Sequence, residues 1–228
     1  MNPITRRCLS VLAVFVLFSI CVPPGAGAAT REKLKIEAAT EVLSEIKAIP
    51  EKGIPPALLE SSYGVAVIPG VIKVGFVIGG RHGRGVLVVK KEDGGWSDPS
   101  FISLTGGSVG YQIGAQSTDI ILVFKSKKGV DGITRGKVTL GADLAVAAGP
   151  VGRQAEASTD VMLKAEIYSY SRSRGLFAGV SLEGAALLID HKSNEEYYGR
   201  DGITPDEIFS DGFGVHAETE RFKEALAK

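Results

Sequence analysis

The sequence predicts an α+β fold, in which an antiparallel, glycine-rich, twisted sheet closes toward a barrel or sandwich with N-terminal helices and a C-terminal helix packed on it. Glycines separate runs of Val, Ile, Leu and Phe at strand-like intervals across residues 64–183, as in GGSVGYQIGAQSTDIILVF at 106–124. Apolar residues recur at helical spacing before this stretch and again near the C-terminus. Short strands joined by Gly-containing turns are typical of a meander that curls into a barrel or sandwich.

The N-terminal 28 residues resemble a secretory signal peptide. Arg6 and Arg7 precede an apolar run at 9–22, and small residues at 26–28 provide a cleavage site after Ala28. The run is shorter than the roughly 20 residues that span a bilayer. We therefore expect an exported protein that is periplasmic or secreted and able to sit peripherally on a membrane.

Both cysteines, Cys8 and Cys21, lie in this leader. Cys21 would allow a lipoprotein that is cut before this residue and lipidated on it, but bulky Ile20 occupies the position where a small residue is usual. The mature chain, residues 29–228, then has no cysteine, which excludes disulfides and thiolate chemistry. Its length fits a single domain with a sizeable core.

Charge is distributed unevenly along the mature chain. Residues 61–182 carry a formal charge of +5, whereas residues 183–228 contain eleven acids against five bases. A basic sheet followed by an acidic tail (191–228) indicates either an anionic partner for the sheet or a tail that folds back onto it.

Two helices are predicted before the sheet. Thr30 caps the first, whose apolar positions recur at helical spacing as far as Pro50. Pro55-Pro56 opens the second, which Gly64 closes. Four basic and four acidic residues lie between 31 and 47. Because a membrane-surface helix usually carries an excess of Lys and Arg, this balance indicates a structural helix that packs on the sheet.

The strands follow in succession. They are predicted at residues 65–68, 71–78, 85–91, 100–104, 108–113, 118–124, 137–147, 161–171 and 176–189. Residues 125–135 form a short helix or a loop. Residues 217–227 form a terminal helix with Phe222 and Leu226 facing inward.

Two motifs look functional at first, and neither has its required context. GGSVG at 106–110 matches a nucleophile elbow around Ser108, but an alternating pattern follows where a helix is needed, so a serine hydrolase is only a remote alternative. Residues 132–138 are one residue short of a phosphate-binding loop, and Val138 replaces the required Ser or Thr, so a hairpin turn is preferred. We find no nucleic-acid motif and predict no metal, no cofactor and no enzymatic activity.

Basic residues on the sheet are the sharpest functional feature. Residues 61–91 contain no acid, and RHGRG at 81–85 is predicted to lie on a flexible turn where side chains and amides meet phosphate oxygens. A second basic turn is predicted at 171–175. The candidate lipid-contact residues are Lys73, Arg81, Arg84, Lys90, Lys91, Arg172 and Arg174. The same cations would also be ordinary on a solvated surface.

Arg153, Glu156 and Asp160 interrupt a segment of small and apolar residues. A buried charge is costly unless it is paired, so a buried Arg153 would have Glu156 or Asp160 as its counter-ion. We favour a structural clamp over a ligand site for these three residues.

The glycine-rich blocks together resemble the SYLF domain, a lipid-binding family that includes yeast actin-associated proteins and exported bacterial proteins. The matching text is GVAVIP (64–69), GGR (79–81) with Gly83 and GVL (85–87), WS (96–97) with Pro99 and Phe101, GGS (106–108), QIGAQSTD (112–119), GKVTLGAD (136–143), AAGPVGR (147–153) and SYSRSRGLF (169–177). The resemblance covers residues 35–190. It implies phospholipid binding, with phosphoinositides the ligands of eukaryotic members, and no enzymatic activity.

Taken with the basic residues, the resemblance predicts a non-catalytic phospholipid-binding module of the bacterial cell envelope. Its basic turns would contact anionic head groups while an apolar groove or patch meets acyl chains. The alternative is a structural envelope protein that binds a protein partner, for which the acidic tail is a candidate contact. Eukaryotic members are associated with a basic amphipathic N-terminal segment that contacts membranes, and the charge-balanced helix departs from that pattern.

Overall fold

The computed structural model describes residues 24–47, 53–150, 165–173, 176–179, 182–210, 212–213 and 216–227. Its helices are α1 (Pro24–Lys47), α2 (Pro56–Glu60), α3 (Lys127–Thr134), α4 (His191–Tyr198), α5 (Pro205–Ser210) and α6 (Ala217–Ala227). Its strands are β1 (Gly64–Val89), β2 (Ser100–Phe124), β3 (Lys137–Thr139), β4 (Val146–Ala148), β5 (Ile167–Ser173), β6 (Leu176–Gly179) and β7 (Ala185–Ile189). Within these ranges no helix combines the length and the apolar character needed to span a bilayer.

Two very long strands, β1 and β2, form an antiparallel ribbon that organises the fold. The ribbon pairs from Gly64 opposite Phe124 to Leu87 opposite Ser100, with two register shifts along the way. The sequence predicted three separate strands in each half of this ribbon. Strand character was predicted correctly, but the breaks were not, because β1 and β2 are each continuous and only the predicted break at 69–70 coincides with a register shift.

The ribbon curls so strongly that two parts of β1 lie against each other. A Cβ on Gly85 would lie 2.1 Å from the carbonyl oxygen of Val67, and one on Gly83 would lie 2.6 Å from a methyl group of Val71. Glycine is required at these positions because the backbones approach so closely. The flexible turn predicted at 81–85 is therefore wrong, since these residues lie inside β1.

The ribbon lies at the centre of a curled, mostly antiparallel sheet that forms a half-barrel. The strand order is β3-β7-β2-β5-β4, with β1 beside β2 and β6 beside β5. β7 pairs with β2 at residues 102–106, and β5 pairs with β2 at residues 119–124. The α+β fold with a twisted antiparallel sheet is confirmed, and its closure stops at a half-barrel.

Alternate residues of the sheet face two separate hydrophobic clusters. On one face, Ile68 and Leu87 pack with residues of α3 and α5. On the other face, Val65, Val67 and Val88 pack with residues of α1, α2 and α6. Helices therefore cover both faces of the sheet.

Helix α1 covers the second face with an apolar stripe. The stripe consists of Ile36, Ala39, Leu43 and Ile46. Each of these side chains is at most 1% exposed, so the predicted packing of this helix on the sheet is confirmed. The predicted cap is wrong: the helix begins at Pro24 and Thr30 lies inside it, because the alanines that precede Thr30 are strong helix formers.

Two of the predicted strands are shorter than expected and divided. Residues 137–147 contain β3 and the start of β4, separated by a turn in which the carboxylate of Asp143 accepts the N–H of Thr139 at 2.7 Å. Residues 176–189 contain β6 and β7, and the turn before β7 includes Gly184 with a φ of +76°. A positive φ is costly for residues other than glycine, so the chain turns here instead of continuing as a strand.

The remaining helices lie after the ribbon. α3 confirms the helical alternative for residues 125–135, and its N-cap Ser126 accepts the N–H of Gly129. α6 confirms the predicted terminal helix, with Phe222 0% and Leu226 4% exposed. Helices α4 and α5 were not predicted from the sequence.

Candidate functional site

The middle of the ribbon is flanked by no other strand of the described chain. β7 pairs with β2 only as far as Gly106, and β5 begins to pair with β2 at Asp119. We call the stretch between these limits, residues 71–80 with 107–118, the distal ribbon. Its two strands pair with each other.

Among the described side chains of the distal ribbon, two large apolar ones are exposed, Ile72 and Val74. Each is 54% exposed. Val71 packs into the cluster beneath α3, so strand alternation places Ile72 and Val74 on the opposite face, which α1 covers at Val65 and Val67. The sequence did not indicate this pair, because a run of Val and Ile is typical of a buried strand whether or not a helix covers it.

Two predicted lipid-contact residues lie at or beside the distal ribbon. Lys73, half-buried, stands between Ile72 and Val74, and Arg81, also half-buried, lies on the opposite arm of β1. Val71 contacts Gly83, so the two arms of β1 lie side by side. Lys73 follows Val71 by two residues, and Arg81 precedes Gly83 by two residues. Burial lowers the pKa of Arg81 from its usual value.

Arg84 belongs to a structural ion-pair group at the other side of the ribbon. Its Nε lies 3.4 Å from the Oδ2 of Asp190, whose carboxylate also accepts the N–H of Ser193 at the start of α4. Burial lowers the pKa of Lys35 on α1, with Arg84 lowering it further and Glu32 opposing the shift. Through Asp190, Arg84 therefore helps to hold α4 against the sheet while remaining 44% exposed.

Lys90 and Lys91 follow the last residue of β1, away from the distal ribbon. The Lys90 ammonium donates to the carbonyl of Glu60 at 2.6 Å and lies 5.6 Å from the ring centroid of Trp96. Lys91 is exposed beside the turn at 92–95. The predicted cations therefore do not form one continuous patch.

Arg172 forms a clamp with acidic side chains. Its Nε and Nη2 donate to one carboxylate oxygen of Asp119 at 2.9 and 2.7 Å, and its Nη1 pairs with Glu45 of α1. The other oxygen of Asp119 accepts the N–H of Gly70, where β1 bends. This pairing gives Arg172 a structural role, so we remove it from the candidate lipid contacts.

Four other predicted residues lie outside the described residues. They are Arg174 of the second basic turn and Arg153, Glu156 and Asp160 of the predicted clamp. A clamp of the predicted kind occurs at Arg172, which was predicted to be a lipid contact.

The acidic C-terminal tail folds back onto the domain. The Lys223 ammonium of α6 lies 2.5 Å from Asp98, which is 6% exposed and also accepts the N–H of Phe213. Arg221 of the same helix pairs with Glu37 of α1 at 3.4 Å. The tail therefore packs onto the domain, one of the two arrangements that the charge asymmetry predicted.

The two motifs that resembled functional sites have other structural roles. Ser108 lies inside β2 with its backbone opposite Gly79, so the chain has no strand-turn-helix elbow at this serine. Residues 132–138 run from α3 into β3, an order opposite to that of a phosphate-binding loop, and the predicted hairpin turn is wrong.

An open cavity of about 370 Å³ lies between α3 and β3. Three cations line it, Lys128, Arg135 and Lys137, together with the carboxylates of Asp131 and Asp143. The mixed charges do not define one ligand class. Within the described part of the chain no three His, Cys, Asp or Glu side chains come together as a metal site.

Sequence comparisons relate this chain to a family of binding proteins. The family model described as "Ysc84: Las17-binding protein actin regulator" matches residues 105–228. SH3 domain-containing YSC84-like protein 1 of Xenopus laevis is 37% identical over 176 residues, which cover 75% of this chain and 52% of that protein.

Two yeast proteins are similar to the same degree. Protein YSC84 of Saccharomyces cerevisiae is 41% identical over 160 residues, covering 69% of this chain and 34% of that protein. LAS seventeen-binding protein 3 of the same yeast is 39% identical over the same shares of the two chains. The chain thus spans about a third to a half of the length of these relatives. With the family model matching more than half of its residues, the chain belongs to the Ysc84 family, the family of the SYLF domain.

Proposed function

We propose that the protein is a non-catalytic binding module whose ligand is an anionic phospholipid surface of the bacterial cell envelope. The observation that carries this proposal is the charge of the distal ribbon. Lys73 lies on it and Arg81 at its base, while residues 61–91 contain no acid. The nearest carboxylate along β2, Asp119, is already paired with Arg172.

Three of the other candidate cations are engaged within the domain, which favours the distal ribbon as the site. Arg84 and Arg172 have carboxylate partners, and Lys90 is held by a carbonyl and an indole ring. Lys73 is half-buried on a stretch of β1 that contains no acid, and its charge attracts an anionic surface. The SYLF resemblance, which implies phospholipid binding, supports the same ligand class.

The docking of α1 argues against membrane contact through this helix. Its apolar stripe is buried on the sheet, and ion pairs join it to the C-terminal helices and β5. To present that stripe to a bilayer, the helix would have to leave the sheet and expose the cluster beneath it. The distal ribbon needs no such rearrangement.

A matched pair of charge reversals tests the proposal. Lys73→Glu changes a cation on the distal ribbon. Lys91→Glu makes the same charge change just beyond the C-terminal end of β1. A basic residue near an anionic membrane contributes about 1 kcal/mol, and reversal adds repulsion of similar size, so Lys73→Glu should weaken vesicle binding about tenfold or more. Lys91→Glu should weaken it much less. Equal weakening by both changes would remove the distal ribbon from the site.

We also propose export to the envelope by the leader at residues 1–28. N-terminal sequencing of the protein recovered from the exported fraction tests this. A first residue of Ala29 supports the proposal, and an intact leader would contradict it.

A protein partner is the second candidate ligand. The family description and the name of LAS seventeen-binding protein 3 both refer to binding of a protein. In this chain the acidic tail is a poor candidate contact, because Glu196 and Glu218 of the tail pair with Arg31 and Lys33 of α1. A protein that ignores anionic vesicles and co-purifies with one envelope protein would favour this alternative.

A further inference from the structure

We infer that the distal ribbon inserts into the membrane, with Ile72 and Val74 entering the acyl-chain boundary while Lys73 and Arg81 meet head-group phosphates. The inference rests on the proposed function and deepens it, because it assigns apolar penetration as well as charge attraction to the same site. Its occupant is the interfacial zone of a fluid, anionic bilayer.

The exposure of Ile72 and Val74 differs from that of the other described Val and Ile side chains of β1, which are buried or partly buried. Val65 and Val67 on the same face are fully covered. Both exposed side chains are β-branched and two residues apart, so they form one apolar ridge on one face of the ribbon. Their transfer from water to the acyl boundary is favourable in proportion to the apolar area removed from water.

The cations beside this ridge suit an anionic bilayer. By strand alternation Lys73 lies on the face opposite Ile72 and Val74, and its long side chain can keep the ammonium at the head groups while the ridge enters. Arg81 adds a second cation on the adjoining arm. A carboxylate here would be repelled by anionic head groups, and residues 61–91 and 99–118 contain none.

The backbone of the distal ribbon sets the depth of insertion. Cross-strand pairing satisfies the N–H and C=O groups that face the partner strand. The groups along its outer edges pair with no other strand among the described residues, so they need water or head groups. The ribbon should therefore stop in the interfacial zone, about 5–10 Å deep, where amphipathic elements usually lie.

A tryptophan reporter tests insertion directly. Trp96 is the single tryptophan of the chain, so the full-length variant Trp96→Phe/Ile72→Trp reports from the ridge alone. The control Trp96→Phe/Leu34→Trp places the reporter on α1, at a residue that is 59% exposed. Both are mixed with phosphatidylcholine/phosphatidylglycerol vesicles whose acyl chains carry bromine, a short-range quencher, and co-sedimentation is measured in the same samples.

We expect a blue shift and quenching for the reporter at residue 72 and neither change for the reporter at residue 34. If both proteins sediment with the vesicles and the residue-72 emission stays unchanged, insertion is overturned while the proposed function stands. If neither protein nor the wild type sediments, the proposed function itself fails. Circular dichroism of each variant confirms that it is folded before vesicles are added.

A second pair of variants tests the apolar contribution without a reporter. Ile72→Gln/Val74→Gln removes the ridge at exposed positions, and Leu34→Gln removes exposed apolar area elsewhere. We expect the first to bind phosphatidylglycerol vesicles about tenfold more weakly, from the lost apolar burial, and the second to bind as the wild type does. Unchanged binding by Ile72→Gln/Val74→Gln would overturn the insertion.

Discussion

Arg172 on β5 and Asp119 on β2 stand opposite each other in the sheet and are joined by two hydrogen bonds to one carboxylate oxygen, at 2.9 and 2.7 Å. Because Arg172 also pairs with Glu45 and Asp119 also accepts the N–H of Gly70, the pair connects helix α1, strand β5 and the bend of β1. This relationship places a structural clamp at the base of the distal ribbon.

Removal of the clamp should lower the free energy of unfolding. Arg172→Gln leaves two carboxylates without their cation, and Asp119 is only 18% exposed, so we expect a loss of about 1–3 kcal/mol. Urea denaturation measures it. Lys128→Gln serves as the control. The Lys128 side chain is 71% exposed and pairs with Glu166, so this change should lower the free energy of unfolding by no more than about 1 kcal/mol. Equal stability of the two variants would contradict the clamp.

The close backbone contact inside β1 predicts the cost of a single methyl group. In Gly85→Ala the Cβ would lie 2.1 Å from the Val67 carbonyl oxygen, so the ribbon must open, at a cost of about 1–3 kcal/mol or more. Gly107→Ala, on β2, places its Cβ in open space and should be neutral within about 1 kcal/mol. Thermal unfolding of both variants checks this difference, and a Gly85→Ala protein as stable as the wild type would refute the curled contact.

Stability should fall in alkaline solution because of buried tyrosines. Burial raises the pKa of Tyr198, whose hydroxyl donates to the Pro99 carbonyl at 2.7 Å. The unfolded chain loses this phenolic proton near about pH 10, whereas the folded chain keeps it, so rising pH favours unfolding. Urea denaturation between about pH 8 and 11 should show this decrease, and Tyr198→Phe should make it shallower.

The Tyr198→Phe variant decides whether this hydroxyl causes the decrease. A slope that Tyr198→Phe leaves unchanged would show that this hydroxyl ionises in the folded protein as it does in the unfolded chain.

Much of the fold could be predicted because local patterns determine it. The spacing of Ile36, Ala39, Leu43 and Ile46 identified the helix that packs on the sheet, and the β-branched runs identified the strands. The continuity of β1 could not be predicted, because glycines such as Gly83 and Gly85 are typical of turns when only their sequence neighbours are considered. Their role depends on Val67 and Val71, which the curl of the ribbon brings to them.

The two helices that were not predicted, α4 and α5, both begin with capping residues. Asp190 caps α4, and Thr204 and Glu207 bond reciprocally at the start of α5, the pattern of a capping box. These signals were present in the sequence, but α4 and α5 carry few apolar residues and their spacing alone did not indicate helices. The candidate site was predicted only in part: Lys73 and Arg81 were identified, whereas the exposure of Ile72 and Val74 depends on where α1 stops covering the sheet.

The central claim, binding to an anionic phospholipid surface, is tested most directly by sedimentation of the wild-type protein with vesicles of phosphatidylcholine alone and of phosphatidylcholine with phosphatidylglycerol. We predict retention by the phosphatidylglycerol vesicles, little retention by phosphatidylcholine alone, and weaker retention as salt rises beyond about 0.1 M, where the screening length is about 10 Å. Absence of retention by the anionic vesicles, or equal retention by both kinds, would contradict the account.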